Sequence, residues 1–284
     1  MTADAADGAV DVSAHGWDCH AHLFGPYDRF PLAAQRSYTP PEAADHQYLA
    51  LLARLGLAHG VLVHPSAYGD DFSLLFDALE RHARLRGVIV LRPDMALASA
   101  AGLAGLRARG VRAARFSHRS GAGGNFAGSA SLDDLLVLAP RLADAGLHAE
   151  LWTDTQALPD IAERLRGLAV PVVIDHMGGF DVAAGVQAPG FQQLCALLAE
   201  GRVWVKLCAY RNLLGGNDLQ AGRPFHQALL GANPEALVWG SDWPHLRVAP
   251  APDAVALLDL CRRWTADERL FAQLMQTNPA RLYG

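Results

Sequence analysis

Trp17-Asp18-Cys19-His20-Ala21-His22, running on into Leu23-Phe24-Gly25-Pro26, is the stretch that decides how this chain is read. Taken as a β-strand from Gly16 to His22, its period of two places Asp18, His20 and His22 on one face, because successive side chains point to opposite sides. Three polar, metal-competent groups then gather near one strand's C-terminal end. In a parallel barrel that end is the mouth, where the chemistry of the architecture sits. The competing reading, a half-exposed antiparallel strand that carries histidines, is decided by the rest of the chain.

Working outward, short Val/Ile/Leu runs alternate with Ala/Leu/Arg stretches of helical spacing, the pattern of βα units around a parallel sheet. The expected strands are 16–22, 60–64, 87–91, 111–116, 148–152, 170–175, 203–207 and 237–241. Helices are expected at 45–56, 73–84, 99–109, 132–145, 158–167, 190–200, 218–230 and 252–263, with a last one at 266–275. Gly56, Gly110, Gly146 and Gly201 each follow a helical stretch, the position where a helix ends in a left-handed residue. The expected fold is therefore α/β, a single (β/α)8 barrel over 16–284 with its active site at the C-terminal strand ends. A doubly wound open sheet is the runner-up, but no GxGxxG follows the first strand. Residues 1–15, rich in Ala, Asp and Gly, read as a loose tail.

Composition narrows the class. A chain of 284 residues with 51% hydrophobic content can bury a large core, and a net charge of -5 argues against a basic nucleic-acid surface. No run of about 18 apolar residues is present, so no membrane span is expected. Cys19, Cys195, Cys208 and Cys261 form no CxxC pair, and they read as reduced residues of a cytoplasmic protein. Oligomeric state is not readable.

The residues at or just beyond the strand ends form one polar set: His20 and His22; His64, Ser66 and Tyr68; Arg115, His118 and Arg119; Trp152 and Asp154; His176; Lys206, Tyr210 and Arg211; Asp242 and His245. Six of the 12 histidines fall there. Three connections, 23–44, 117–130 and 177–189, leave C-terminal strand ends and are candidate walls or lids.

Asp18-x-His20-x-His22, Asp175-His176 and Gly240-Ser241-Asp242-Trp243-Pro244-His245 resemble the amidohydrolase superfamily, with a match reaching Asn278-Pro279 near the C-terminus. With Tyr38-Thr39-Pro40 and Asp175-His176-Met177-Gly178 added, the chain looks more narrowly like the 2-pyrone-4,6-dicarboxylate lactonase group. The resemblance implies a hydrolase opening a carboxylated lactone in aromatic or sugar-acid breakdown. It implies Asp242 as the base that takes a proton from water, and His20, His22 and His176 as polarisers of the lactone carbonyl. Arg115 and Arg211 stand where the family holds substrate carboxylates, a task that suits the planar guanidinium. Ser66, Tyr68, Trp152, Tyr210 and His245 complete the expected substrate-binding set, with His245 or Tyr210 as the group that protonates the leaving oxygen. The family's further base after strand four has no counterpart in place, since Arg119 is displaced.

His20, His22, His176 and Asp242 could hold one divalent ion, Zn or Mn. Lys206 is the only lysine and lies on strand seven, so a lysine-bridged binuclear centre after strand four is excluded. The lactonase resemblance implies no required metal. The alternatives are a metal-dependent decarboxylase of the same superfamily and a barrel that binds a small acid without turnover.

Overall fold

The β-branched runs Val61-Leu62-Val63, Val88-Ile89-Val90 and Val172-Val173-Ile174 are buried on both faces, which only a parallel sheet wrapped by helices allows. The computed structural model describes residues 15–121, 128–213 and 218–284. Its eight strands are β1 (Trp17–Ala21), β2 (His59–Val63), β3 (Leu85–Val90), β4 (Val111–His118), β5 (His148–Thr153), β6 (Val172–Ile174), β7 (Val203–Leu207) and β8 (Leu237–Trp239), each paired parallel to the next. The ring closes where Ala21 bridges Trp243 and where Asp242 N donates to His20 O and His22 N to Trp243 O, both at 2.8 Å. This is a single (β/α)8 barrel.

The helices that cover it are α1 (Asp45–Leu55), α2 (Ser73–Arg81), α3 (Ala100–Ala108), α4 (Leu132–Asp144), α5 (Leu158–Arg166), α6 (Pro189–Ala199), α7 (Arg223–Ala232) and α8 (Ala254–Thr265). Gly56, Gly110, Gly146 and Gly201 all take positive φ at or beside the helix ends, as their spacing requires. The helix expected from 218 starts only at Arg223, because Pro224 is suited to a first turn and not to an interior one. The last expected helix is two, α9 (Glu268–Ala272) and α10 (Asn278–Tyr283), separated by a π-turn. Tyr283 then plugs the barrel's lower end with Trp17, Cys19, Val61, Val63, Val88, Ala113 and Val238. The expected tail falls almost wholly outside the described residues.

One expectation about β1 is corrected. Its pairing with β2 slips between Asp18 and Ala21, a β-bulge, so strict alternation fails there. Asp18 consequently leaves the row of His20 and His22 and faces α1, where it accepts from Tyr48 OH at 3.2 Å. It also accepts from Ser241 N at 2.8 Å and Ser241 Oγ at 2.6 Å, which clamps β1 to the chain after β8.

Candidate active site

At the C-terminal end of the barrel lies a cavity of about 350 Å³, lined among others by His22, His176, Asp242, Arg115, Arg211 and Arg247. Each is set there by a local feature of the chain. Beyond β6 the backbone turns left-handed over His176, Met177, Gly178 and Gly179, with φ between 49° and 67°. Such angles cost a non-glycine residue on the order of 1–3 kcal/mol, so the Asp-His-Met-Gly turn is a strained one, held by Asn212 Nδ2 donating to His176 O at 2.8 Å. Asp242 is likewise left-handed at φ 58°. Gly240 brings β8 against β1: a Cβ there would stand 2.6 Å from the Cβ of His20, so only glycine permits the approach.

Asp242 forms the floor. Its Oδ2 accepts from Tyr210 OH at 2.7 Å and from the Arg211 guanidinium, while Oδ1 has no hydrogen-bond partner despite full burial. Burial works to raise its pKa, but Arg211 and then His176 outweigh that and hold it well below the usual carboxylate range. Asp242 is therefore ionised, with one oxygen unclaimed. His22 Nε2 lies 3.4 Å from that oxygen, and His22 Nδ1 is 2.7 Å from Val63 O. A carbonyl only accepts, so Nδ1 carries a proton, and Nε2 is the ring nitrogen turned toward Asp242.

His20 is fully buried beneath these groups and does not line the cavity. It touches the floor through Nε2, 3.3 Å from His22 Nε2 and 3.6 Å from Asp242 Oδ1. Under it sits Lys206, also fully buried, 2.8 Å from Glu150 Oε2, 3.1 Å from Asp175 Oδ1 and 3.1 Å from His20 Nδ1. Burial alone would discharge the amine, but Asp175 and Glu150 outweigh it and raise its pKa. Burial first, and Lys206 second, push His20 down to about 4, so its ring is neutral. Burial also lowers His176 well below its ordinary value.

His20, His176 and Asp242 each offer one ligand atom within 4.8 Å of the others, spacings that would suit a single cation. The proton inventory does not suit it. An ammonium only donates, so His20 Nδ1 is an acceptor and the ring's one N–H lies on Nε2, the atom a cation would need.

The two arginines expected to hold substrate carboxylates both reach the cavity. Arg115 lines the cavity while its Nε and Nη2 rest on Asp175 Oδ2 at 3.0 and 2.9 Å. Arg211 lines it too, from the side of Asp242, and Ser66 and Trp152 are on the wall. Arg119 is displaced: its guanidinium lies 4.7 Å over the Trp152 ring and 3.4 Å from Asp154. Three expected substrate contacts are elsewhere. Tyr68 turns away under the 23–44 connection, where its hydroxyl accepts from Gly25 N at 2.7 Å. Tyr210 stands behind Asp242 and His245 behind Tyr210, ring to ring at 5.3 Å, because the left-handed turn at 242–247 folds the chain back. Neither lines the cavity.

Of the three candidate walls, 23–44 supplies Ser37 and Tyr38 and 117–130 supplies Ser117, Ser129 and Ala130. No residue of 177–189 lines the cavity, and 122–127 lie outside the described residues. Sequence reading missed Arg247, whose Nη2 donates to Ser37 O at 3.3 Å and whose guanidinium lies 4.7 Å from the Tyr38 ring centre. It also missed Glu150. Both carried a signal: an Arg just past the eighth strand, and a lone carboxylate in an apolar strand that must find the only lysine.

A 4-sulfomuconolactone hydrolase of Rhizobium radiobacter is 38% identical over 94% of this chain and 89% of its own. A 2-pyrone-4,6-dicarboxylate hydrolase of Comamonas testosteroni is 31% identical over the same shares. The crystal structure of a candidate 2-pyrone-4,6-dicarboxylic acid hydrolase from Pseudomonas putida, 31% identical, superposes with a TM-score of 0.81 over 95% of this chain and 97% of that one. The family described as Amidohydrolase (Amidohydro_2) matches residues 17–284. Since that match takes in every strand of the barrel and every residue of the cavity floor, the chain belongs to the amidohydrolase family.

Proposed function

We propose that this amidohydrolase-family enzyme hydrolyses a small lactone bearing two anionic groups, carboxylate or sulfonate, of the kind named in its curated relatives. The observation that carries the reading is the cavity floor: an ionised carboxylate with an unclaimed oxygen, beneath walls that bear three arginines. Asp242 and His22 both line the cavity, with Asp242 Oδ1 3.4 Å from His22 Nε2. A water donating to Asp242 Oδ1 turns its own lone pair toward a carbonyl above. His22, whose Nδ1 donates to Val63 O and whose Nε2 is paired with His20, stands beside that water in place of the carbonyl polarisation expected from sequence.

Asp242 takes the proton as the C–O bond forms, and His176, whose Nδ1 lacks a hydrogen-bond partner, faces the developing oxyanion with Arg211. Collapse of the tetrahedral intermediate breaks the ring C–O bond, and Asp242 returns the proton to the departing ring oxygen. A lactone is more electrophilic than an amide, so no step of this scheme requires a cation. Arg115, Arg211 and Arg247 hold the anionic substituents. A metal-dependent decarboxylase gains no support from the two curated relatives, both named for lactone hydrolysis.

The test is turnover of 2-pyrone-4,6-dicarboxylate, 4-sulfomuconolactone and uncharged lactones by purified protein, with and without chelator. Hydrolysis of the doubly charged lactones that survives chelation is expected. Absence of turnover on every anionic lactone refutes the reading, and turnover restored only by added zinc or manganese refutes its metal-independent form.

A further inference from the structure

We propose that Lys206 is a positioning residue: by donating to Nδ1 it fixes His20 as the Nε2–H tautomer, so that the deepest imidazole serves the site as a proton donor and not as a cation ligand. The inference rests on the lactonase reading for its kinetic consequence and on geometry for the rest.

The Lys206 ammonium donates to Glu150 Oε2 at 2.8 Å and to His20 Nδ1 at 3.1 Å, and Asp175 Oδ1 lies 3.1 Å away as the third group around it, an ion-pair contact. None of the three is free to turn away. Tyr283 OH holds the other oxygen of Glu150 at 2.7 Å, and Arg115 holds the other oxygen of Asp175. His20 itself is wedged against Gly240 on one side, with the His176 ring centred 4.8 Å away. Among the described residues the rival acceptor for an Nδ1 proton is Asp175 Oδ1, which has no hydrogen bond of its own but lies 3.6 Å away, beyond hydrogen-bond range.

With Nδ1 accepting, the single N–H of the neutral ring is on Nε2. It faces one acceptor within hydrogen-bond range, His22 Nε2 at 3.3 Å; Asp242 Oδ1, at 3.6 Å, lies beyond it. One buried cation thus sets the direction of every proton in the row: Lys206 to His20, His20 to His22, His22 to Val63 O. The other His20 tautomer would set an N–H against the Lys206 ammonium. Coordination of a cation by His20 Nε2 would need the ring proton moved to Nδ1, where the Lys206 ammonium already donates.

The experiment is two-bond 15N–1H correlation on protein labelled at histidine nitrogen, with His20 assigned by comparison with His20→Asn. Wild type is expected to show His20 as Nε2–H alone, unshifted by equimolar zinc. Lys206→Met, and Lys206→Met/Glu150→Gln as the charge-balanced form should the single variant fail to fold, are expected to lose that fixed tautomer. In the same proteins kcat should fall about 100- to 1000-fold, as for loss of one preorganised donor, with KM changed less than about threefold. Nδ1–H on wild-type His20, a one-to-one zinc shift of its resonances, or an Nε2–H tautomer that persists without Lys206 overturns the proposal. Should wild type open no anionic lactone, the lactonase reading fails, while the spectra still decide the role of Lys206.

Discussion

Replacing Asp242 by Asn tests the floor of the site with almost no change in shape. Both groups at Oδ2, Tyr210 OH and Arg211, are donors, so the amide oxygen must take that side and the amide nitrogen must replace Oδ1. There it stands 3.4 Å from His22 Nε2, and the packing is kept. The change converts an acceptor for water into a donor and removes the base. General bases contribute about 10²–10⁴-fold, so kcat should fall by that much, or about 3–5 kcal/mol. Arg211, no longer neutralised by a carboxylate, should hold a substrate anion more tightly, so KM should fall rather than rise. Weakening two charge-assisted bonds should cost about 1–2 kcal/mol of stability, visible as a small drop in Tm. Steady-state kinetics with a carboxylated lactone, alongside a thermal melt, gives all three quantities. A variant within tenfold of wild-type kcat would refute the assignment of Asp242 as base.

Other expected outcomes follow from single contacts. Glu150→Gln should destabilise the barrel by about 3 kcal/mol at neutral pH, since it breaks a buried ion pair. Burial works to raise the Glu150 pKa from its ordinary 4.5, but Lys206 outweighs it and holds the carboxyl at about 2. Its contribution is thus present above about 4.5 and lost as pH falls through about 2. Denaturant melts of the two proteins should converge over that interval, and a gap unchanged down to pH 3 would count against the pairing. Gly240→Ala forces a Cβ into His20, and about 1–3 kcal/mol of strain with a loss of kcat exceeding the loss of Tm is expected; normal kcat would mean His20 tolerates displacement. Arg247→Met should raise KM for doubly charged lactones about ten- to a hundredfold and leave singly charged ones nearly unchanged. Equal effects on both would remove Arg247 from substrate recognition.

The barrel was legible because its signals are local. Runs such as Val172-Val173-Ile174 announce buried parallel strands, and Gly146 or Gly201 announces the left-handed turn that ends a helix. His22, His176, Asp242, Arg115 and Arg211 were legible for the same reason, each standing beside a strand end. The failures have a different origin. A one-residue bulge in β1 moved Asp18 to the opposite face, and nothing in Asp18-Cys19-His20 marks it. Tyr68, Tyr210 and His245 follow strand ends in sequence, yet their backbones turn back on themselves, at Asp242 and His245 through left-handed angles that L-residues adopt only when tertiary contacts impose them. Glu150 sits within a strand, below the level at which a reading of strand ends looks.

The buried charges also have a consequence for how the chain reaches this structure. The contacts that complete the interior join residues far apart: 133 positions between Glu150 and Tyr283, 186 between His20 and Lys206, 223 between Asp18 and Ser241. Contacts of that range form late, after the loop entropy of most of the chain has been surrendered. A ring stalled before β7 would hold Glu150 against an apolar interior without its cation and leave Asp175 with Arg115 alone. Partly closed barrels are therefore electrostatically disfavoured, and the last strands join in one cooperative step that neutralises the interior and completes the site together. Loss of structure on unfolding should coincide with loss of the site, in a single transition.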